Sequence, residues 1–288
     1  MDHASTPAAL TASRYDAANG RWGTEEVFDR AAGIAAVAFP AIASTPNGAA
    51  VVLYTQGDLL AGAVTAHARR SSAQSPTWDS PELVTRDRTP VGNTTLITTG
   101  VALNEAGVTF AVWQDQEDER VMTVWVNRYD PGSKTWSEGE RLGRQEMELA
   151  QVPQVAVDPL GNAIATWSAY EGEHEQIWAT RYRAEDERWT GPEILDSAPD
   201  ADMTRPQIGV DEQGNAHVVW TRFGAEGQTL WVTRFDAGNA SWDAATPLDL
   251  GTLAEGAEPK LVVSPSGEAL LAWMSWDGGV YANHYRSR

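Results

Sequence analysis

The feature that most constrains this chain is a self-repeat. PQVAVDPLGNAIATW, beginning at Pro153, lies over PQIGVDEQGNAHVVW from Pro206 and over PKLVVSPSGEALLAW from Pro259, without a gap, at a period of 53 residues. Two looser copies precede them, AIASTPNGAAVVLY from Ala41 and GVALNEAGVTFAVW from Gly100. A repeat of this length is one supersecondary unit that buries its apolar surface against its neighbours, so the period sets the architecture before any local structure is considered.

Within each unit the pattern is that of strands. Ala163, Ala165 and Trp167 alternate onto one face, matched by Ala216, Val218, Trp220 and by Ala269, Leu271, Trp273. A second motif follows in VWVNRYD, IWATRYR, LWVTRFD and VYANHYR, and a Trp recurs eight residues after its Arg, as in Arg128 to Trp136, Arg181 to Trp189 and Arg234 to Trp242. Turn signals separate the pieces: DPLGN, DEQGN and SPSGE after the first strand, AEDE and DAGNA after the third. Four antiparallel strands per unit predict an all-β fold, a β-propeller with five four-stranded blades, six being the other count. A sandwich does not repeat its sequence and solenoid coils are usually shorter. The expected blades are 40–87, 98–144, 153–197, 206–250 and 259–288 plus 20–29, in a single domain of 1–288. The last unit shows no fourth strand, and GRWGTEEVF (Gly20 to Phe28) reads as the strand that completes it and closes the ring. Ser13-Arg14-Tyr15 also resembles a third strand, which the last unit already has; a ring of six or a spare edge would account for it.

Composition narrows the function. A net charge of -19 argues against nucleic acid, whose phosphates need clustered Lys and Arg, and against anionic membrane surfaces. No apolar stretch is long enough for a membrane-spanning helix. Without cysteine there are no disulfides, zinc thiolates or thiol nucleophiles. MDHASTPAAL carries no signal peptide, and the expectation is an exported protein, periplasmic, cell-surface or secreted, whose leader lies outside this chain. His3, His67, His174, His217 and His284 show no metal spacing, and no HExxH, GxSxG or phosphate-binding loop occurs, so no cofactor, metal or catalytic residue is assigned. The acidic run Asp115, Glu117, Asp118, Glu119 lacks the order of a calcium loop.

The aromatic residues at the ends of the second strands, Tyr54, Trp113, Trp167, Trp220 and Trp273, read as inter-blade core. Arg14, Arg128, Arg181 and Arg234 fall at one repeated place, whereas a carboxylate clamp needs different places converging on one centre. They read as structural, paired with acidic neighbours. RYDAANGRW (Arg14 to Trp22) and RYDPGSKTW (Arg128 to Trp136) resemble the Asp-box turns of sialidase-type propellers, with Asp16, Asp130 and Asp236 at the box Asp, one residue longer and without its Ser. As architecture the chain is also similar to bacterial and invertebrate propeller lectins, a resemblance that implies sugar binding between blades or on one face.

The loops between second and third strands differ most between units. Three residues past the strand-two Trp lie Tyr170, Phe223 and Trp276, and with Glu171, Gln228 and Asp277 they form the expected ligand-binding residues. The resulting expectation is a non-enzymatic, monomeric binding module, lectin-like or protein-binding, with a glycan or protein partner. A sialidase-like glycan-processing enzyme and a scaffold in a surface assembly are the alternatives.

Overall fold

The computed structural model describes residues 9–30, 35–58, 63–72, 74–75, 77–85, 99–116, 121–143, 148–225, 227–248, 253, 258–275 and 277–286. All regular structure is β. The N-terminal segment holds β1 (Ala9–Ala12), β2 (Tyr15–Asp16), β3 (Arg21–Trp22) and β4 (Glu26–Arg30). A first sheet follows with β5 (Ala35–Ser44), β6 (Ala50–Asp58), β7 (Ala63–Ser71) and β8 (Glu82–Leu83). The second has β9 (Thr99–Leu103), β10 (Thr109–Gln116), β11 (Met122–Asp130), β12 (Thr135–Trp136) and β13 (Glu140–Arg141). The third has β14 (Glu148–Val157), β15 (Ala163–Glu171), β16 (His174–Arg183), β17 (Arg188–Trp189) and β18 (Glu193–Asp196). The fourth has β19 (Asp202–Val210), β20 (Ala216–Gly224), β21 (Gly227–Asp236), β22 (Ser241–Trp242) and β23 (Thr246–Leu248). The last has β24 (Lys260–Val263), β25 (Ala269–Met274) and β26 (Val280–Tyr285).

Each sheet is an antiparallel meander in sequence order, its outer strand broken in two in the second, third and fourth sheets. The repeat therefore becomes a series of propeller blades. Turn chemistry sets the strand ends. In DEQGN, Asp211 accepts from the Gln213 and Asn215 amides at 2.9 and 2.8 Å, and Asn215 reaches across to the Ala237 amide at 3.1 Å, tying the inner turn to the outer one. Gly214 sits at φ +84°, a left-handed conformation that glycine takes without strain. At the outer turns Asp130 accepts from the Gly132 and Ser133 amides, and Asp236 from those of Gly238 and Asn239. The box-like aspartates are thus turn caps.

Alternation sorts each second strand onto two neighbours. Val218 and Trp220 pack toward the third sheet with Ile177 and Met203, while Val219 packs toward the last sheet with Leu271 and Trp273. Trp167, Trp178 and Trp220 are fully buried. Burying these side chains between sheets is the main stabilisation, about 1.5–3 kcal/mol for each large apolar group.

The repeated arginines carry the inter-sheet contact, and their partners differ from the expected acidic neighbours alone. Arg70 lies 3.2 Å above the Tyr129 ring, Arg181 4.2 Å above Phe235, Arg128 5.7 Å above Tyr182 and Arg14 5.6 Å above Trp78, each on the sheet that follows. Arg70 also pairs with Glu82 at 2.8 Å, and Glu82 accepts from the Trp136 indole of the next sheet at 2.9 Å. Glu193 and Trp242 repeat that bond at 2.9 Å. An Arg and a Glu on one sheet thus grip an aromatic pair on the next.

The N-terminal segment pairs with itself. β4 pairs with β1, and β2 with β3, so residues 9–30 form their own hairpin, and among the described residues β26 pairs only with β25. Among the described residues the strands of 20–30 pair with those of 9–16 and not with β25 or β26. The physical reason is local: the hairpin reproduces the third and fourth strands of a unit, and its Phe28, Leu10 and Ala12 pack on Val52, Tyr54 and Trp78 of the first sheet. Arg14 completes the seam through Gly48 O at 2.9 Å and Ser71 Oγ at 2.6 Å.

Candidate active site

The second-to-third strand connections gather at one end of the sheets. Tyr170 and Phe223, expected in loops, are strand residues: β15 and β20 run on past their Trp, and the hairpins close in short turns at Gly172 and Gly227, both at positive φ. Both rings are half-buried. Register sets Tyr170 opposite Glu175, Glu171 opposite His174, and Phe223 between Asp202 and Gln228. Asp277 is committed to its own turn, accepting from the Gly279 amide at 2.9 Å and the Tyr281 hydroxyl at 2.6 Å, and that hydroxyl bond above all holds its carboxyl below the usual range. Trp276 lies outside the described residues, as do Glu117, Asp118 and Glu119 of the acidic run.

Between the third and fourth sheets the structure assembles a group not foreseen as a set. Glu175, on β16, is 5% exposed, and its carboxylate accepts from Gln151 Nε2 at 2.7 Å. Burial pushes its carboxyl above the ordinary range; bonds from Ser168 and Gln151 oppose the shift, and the nearby Asp202 charge adds to it. Asp202, on β19, is the open member, its side chain 44% exposed. It accepts from the Glu175 amide at 2.9 Å and lies 3.3 Å from His174 Nδ1. Burial, then the charges of Glu175 and Asp202, raise the Tyr170 phenol, whose strand position lies opposite Glu175.

Backbone irregularity accompanies this group. β14 slips register between Glu148 and Gln151 and again between Gln151 and Gln154, and β19 slips between Thr204 and Gln207. Leu149, Val152 and Arg205 there have φ of +51°, +50° and +59°. A β-branched Val in the left-handed region is strained, and bulges of this kind re-aim side chains near sites. Here the bulge turns Gln151 onto Glu175. Arg205 Nη1 and Gln228 Oε1 are buried with no hydrogen-bond partner among the described residues.

Sequence reasoning missed Glu175 because it falls in EGEHEQ, read only as a variable loop. The signal was available. One repeat on, the same place is Gln228, so an acid stands at a buried register position where the next unit keeps a neutral amide.

No protein-family model and no curated protein matches the chain. Among solved structures it is similar to a protein of unknown function from Dyadobacter fermentans, at 13% identity and TM-score 0.61, covering 99% of this chain and 85% of that one. It is also similar to the α-L-arabinanase of Penicillium chrysogenum complexed with arabinobiose, at 14% identity and TM-score 0.55, over 86% and 77% of the two chains. A third is the α-L-arabinofuranosidase of Fusarium graminearum in complex with an iminosugar inhibitor, at 11% identity and TM-score 0.56, over 85% and 80%. At these identities the likeness shows the fold, a β-propeller. The expectation of a non-enzymatic lectin-like module is overturned here: both of these similar structures that carry a named activity are glycan-processing enzymes. Among the described residues no helix is long and apolar enough to cross a membrane.

Proposed function

We propose that the chain is a glycan-processing enzyme, a glycoside hydrolase working at the Glu175–Asp202 group on the rim between the third and fourth sheets. The observation that carries this is the unequal pair of carboxyls: a buried Glu175 with its proton affinity raised, next to a solvent-facing Asp202. Cleavage of a glycosidic bond uses such inequality. One carboxyl keeps a proton to give to the leaving oxygen as the C–O bond breaks, and the other, ionised, takes a proton from the attacking water or stabilises the sugar cation. His174 and the Glu175 amide orient Asp202, and Gln151 fixes Glu175. Tyr170 and Phe223 offer ring faces on which a sugar stacks, with the exposed Glu171 as a hydrogen-bonding group. The fold shared with an α-L-arabinanase and an α-L-arabinofuranosidase supports the same reading. A polymeric substrate outside the cell goes with an exported, monomeric protein.

The test is release of reducing ends from arabinan and a panel of other plant and algal polysaccharides. On the polymer that is cut, Glu175→Gln and Asp202→Asn each lose about 100-fold or more in rate, the usual contribution of a general acid or base. Full activity in Glu175→Gln would remove Glu175 from the chemistry.

A further inference from the structure

We propose that the cleft between the fourth and last sheets is the seat of Trp22, and that the N-terminal hairpin 9–30, in place of β26, completes the last sheet and closes a ring of five. The cleft measures about 420 Å³ and is lined in part by His217, Arg234, Thr246, Leu248, Leu261 and Tyr285. One junction earlier the equivalent space holds an indole: Trp242 packs in one cluster with Leu195 and Ile208 and donates to Glu193. One repeat further on, those three residues correspond to Leu248, Leu261 and Thr246, which line the cleft. The cleft thus lies where the fold places the Trp242 indole one junction earlier.

The arithmetic of the seam points to which indole. An Arg followed eight residues later by a Trp occurs at Arg14/Trp22, Arg70/Trp78, Arg128/Trp136, Arg181/Trp189 and Arg234/Trp242. Arg14, Arg70, Arg128 and Arg181 each grip the aromatic group of the following sheet, which uses Trp78, Trp136, Trp189 and Trp242. Arg234 and Trp22 remain. Tyr15 and Trp22 already form the receiving pair, with centroids 5.5 Å apart as for Tyr129 and Trp136. Yet Tyr15 is 51% and Trp22 68% exposed, whereas Tyr129 is buried.

A second observation is independent of the seam. The hairpin covers only the outer part of the first sheet's face, and Ile42 on β5 stays 68% exposed where its counterpart Val155 is buried. What is missing there is a pair of inner strands. The last sheet has such a pair, β24 and β25, with Val262 and Leu270 bare on its far side. Together, β24, β25, β1–β2 and β3–β4 make one whole blade that covers Ile42 and seats Trp22. The third-strand edge of β25 is occupied in this structure by β26, all six residues of which are exposed. The rivals carry one motif, Ser13-Arg14-Tyr15-Asp16 and Asn283-His284-Tyr285-Arg286, but only the hairpin brings the Arg and the Trp.

Register makes the exchange testable. In the fourth sheet Val219 faces Val232, three residues before Phe235. The same register sets Ala272 opposite Ala12, three before Tyr15, whereas in the present pairing Ala272 faces Ala282. The chain has no cysteine, so introduced thiols report alone. Under mild oxidation Ala12→Cys/Ala272→Cys is expected to lose both thiols to a disulfide within one chain, while Ala272→Cys/Ala282→Cys keeps its thiols. The opposite result overturns the proposal. So does a disulfide joining two chains, which gives the seat to a second copy. Should either variant fail to fold, amide exchange on the unaltered protein decides: fast exchange over Val280–Tyr285 supports the proposal, and strong protection there overturns it.

Discussion

At the residue scale the candidate site turns on the cost of burying Glu175. A carboxyl whose folded pKa lies above its unfolded value binds its proton more tightly in the native state. The stability this gives is fully present below the unfolded carboxylate range, about 4.3, and is lost as pH rises through the folded pKa. Glu175→Gln keeps the shape, retains an acceptor for Gln151 and has no charge to bury. The variant is therefore expected to melt above the parent at neutral pH, with the gap closing toward pH about 4. Calorimetric melts across that range measure it; a gap that widens toward acid would mean the Glu175 charge stabilises the fold. Better stability with lost activity is the combination expected of a group kept for chemistry.

At the element scale the unit of cohesion is the seam of Arg, Glu and two aromatic groups. Arg70 has three partners at once: Tyr129 beneath it, Glu82 beside it and, through Glu82, Trp136. The Arg70 side chain is mostly buried, so the pair is less screened than a surface ion pair, and a desolvated cation over a ring contributes about 2 kcal/mol. Arg70→Met, Tyr129→Leu and the double variant form a cycle for which denaturant melts should give a coupling of about 1–2 kcal/mol. A coupling near zero would reduce the stacking to coincidence of packing. The sequence shows where these arginines recur. It does not show their partners, because Arg70 and Tyr129 belong to different repeats and meet only when the sheets stack.

At the scale of the whole molecule, each sheet is covered by its neighbours, and the first sheet takes its cover from the hairpin 9–30, which buries Phe28 against Val52 and Tyr54. Deleting residues 1–30 uncovers Tyr54, Val52 and Trp78 and removes the Arg14 bonds to Gly48 and Ser71. The truncated chain should lose its cooperative melt or associate, as exposed apolar sheet faces do. Scanning calorimetry with light scattering checks this, and an unchanged melt would make the hairpin dispensable.

The period of 53, the alternation ending in Trp167, Trp220 and Trp273, and the DPLGN-type turns determine the strands, the meander and the propeller, because each is a local property or a repeated one. The repeated Arg and Trp positions are legible for the same reason. Glu175 was not, since what makes it distinctive is burial, and burial is set by a β14 bulge and by Asp202 from the next sheet. The place of Tyr170 and Phe223 on strands depended on how far the hairpins extend beyond the last core Trp, which polar residues do not announce. The N-terminal hairpin was legible in part: Ser13-Arg14-Tyr15 matches a third strand and Gly20 to Phe28 a fourth, but the packing of Phe28 on Val52 and Tyr54 joins residues of different sheets and appears only in the tertiary structure.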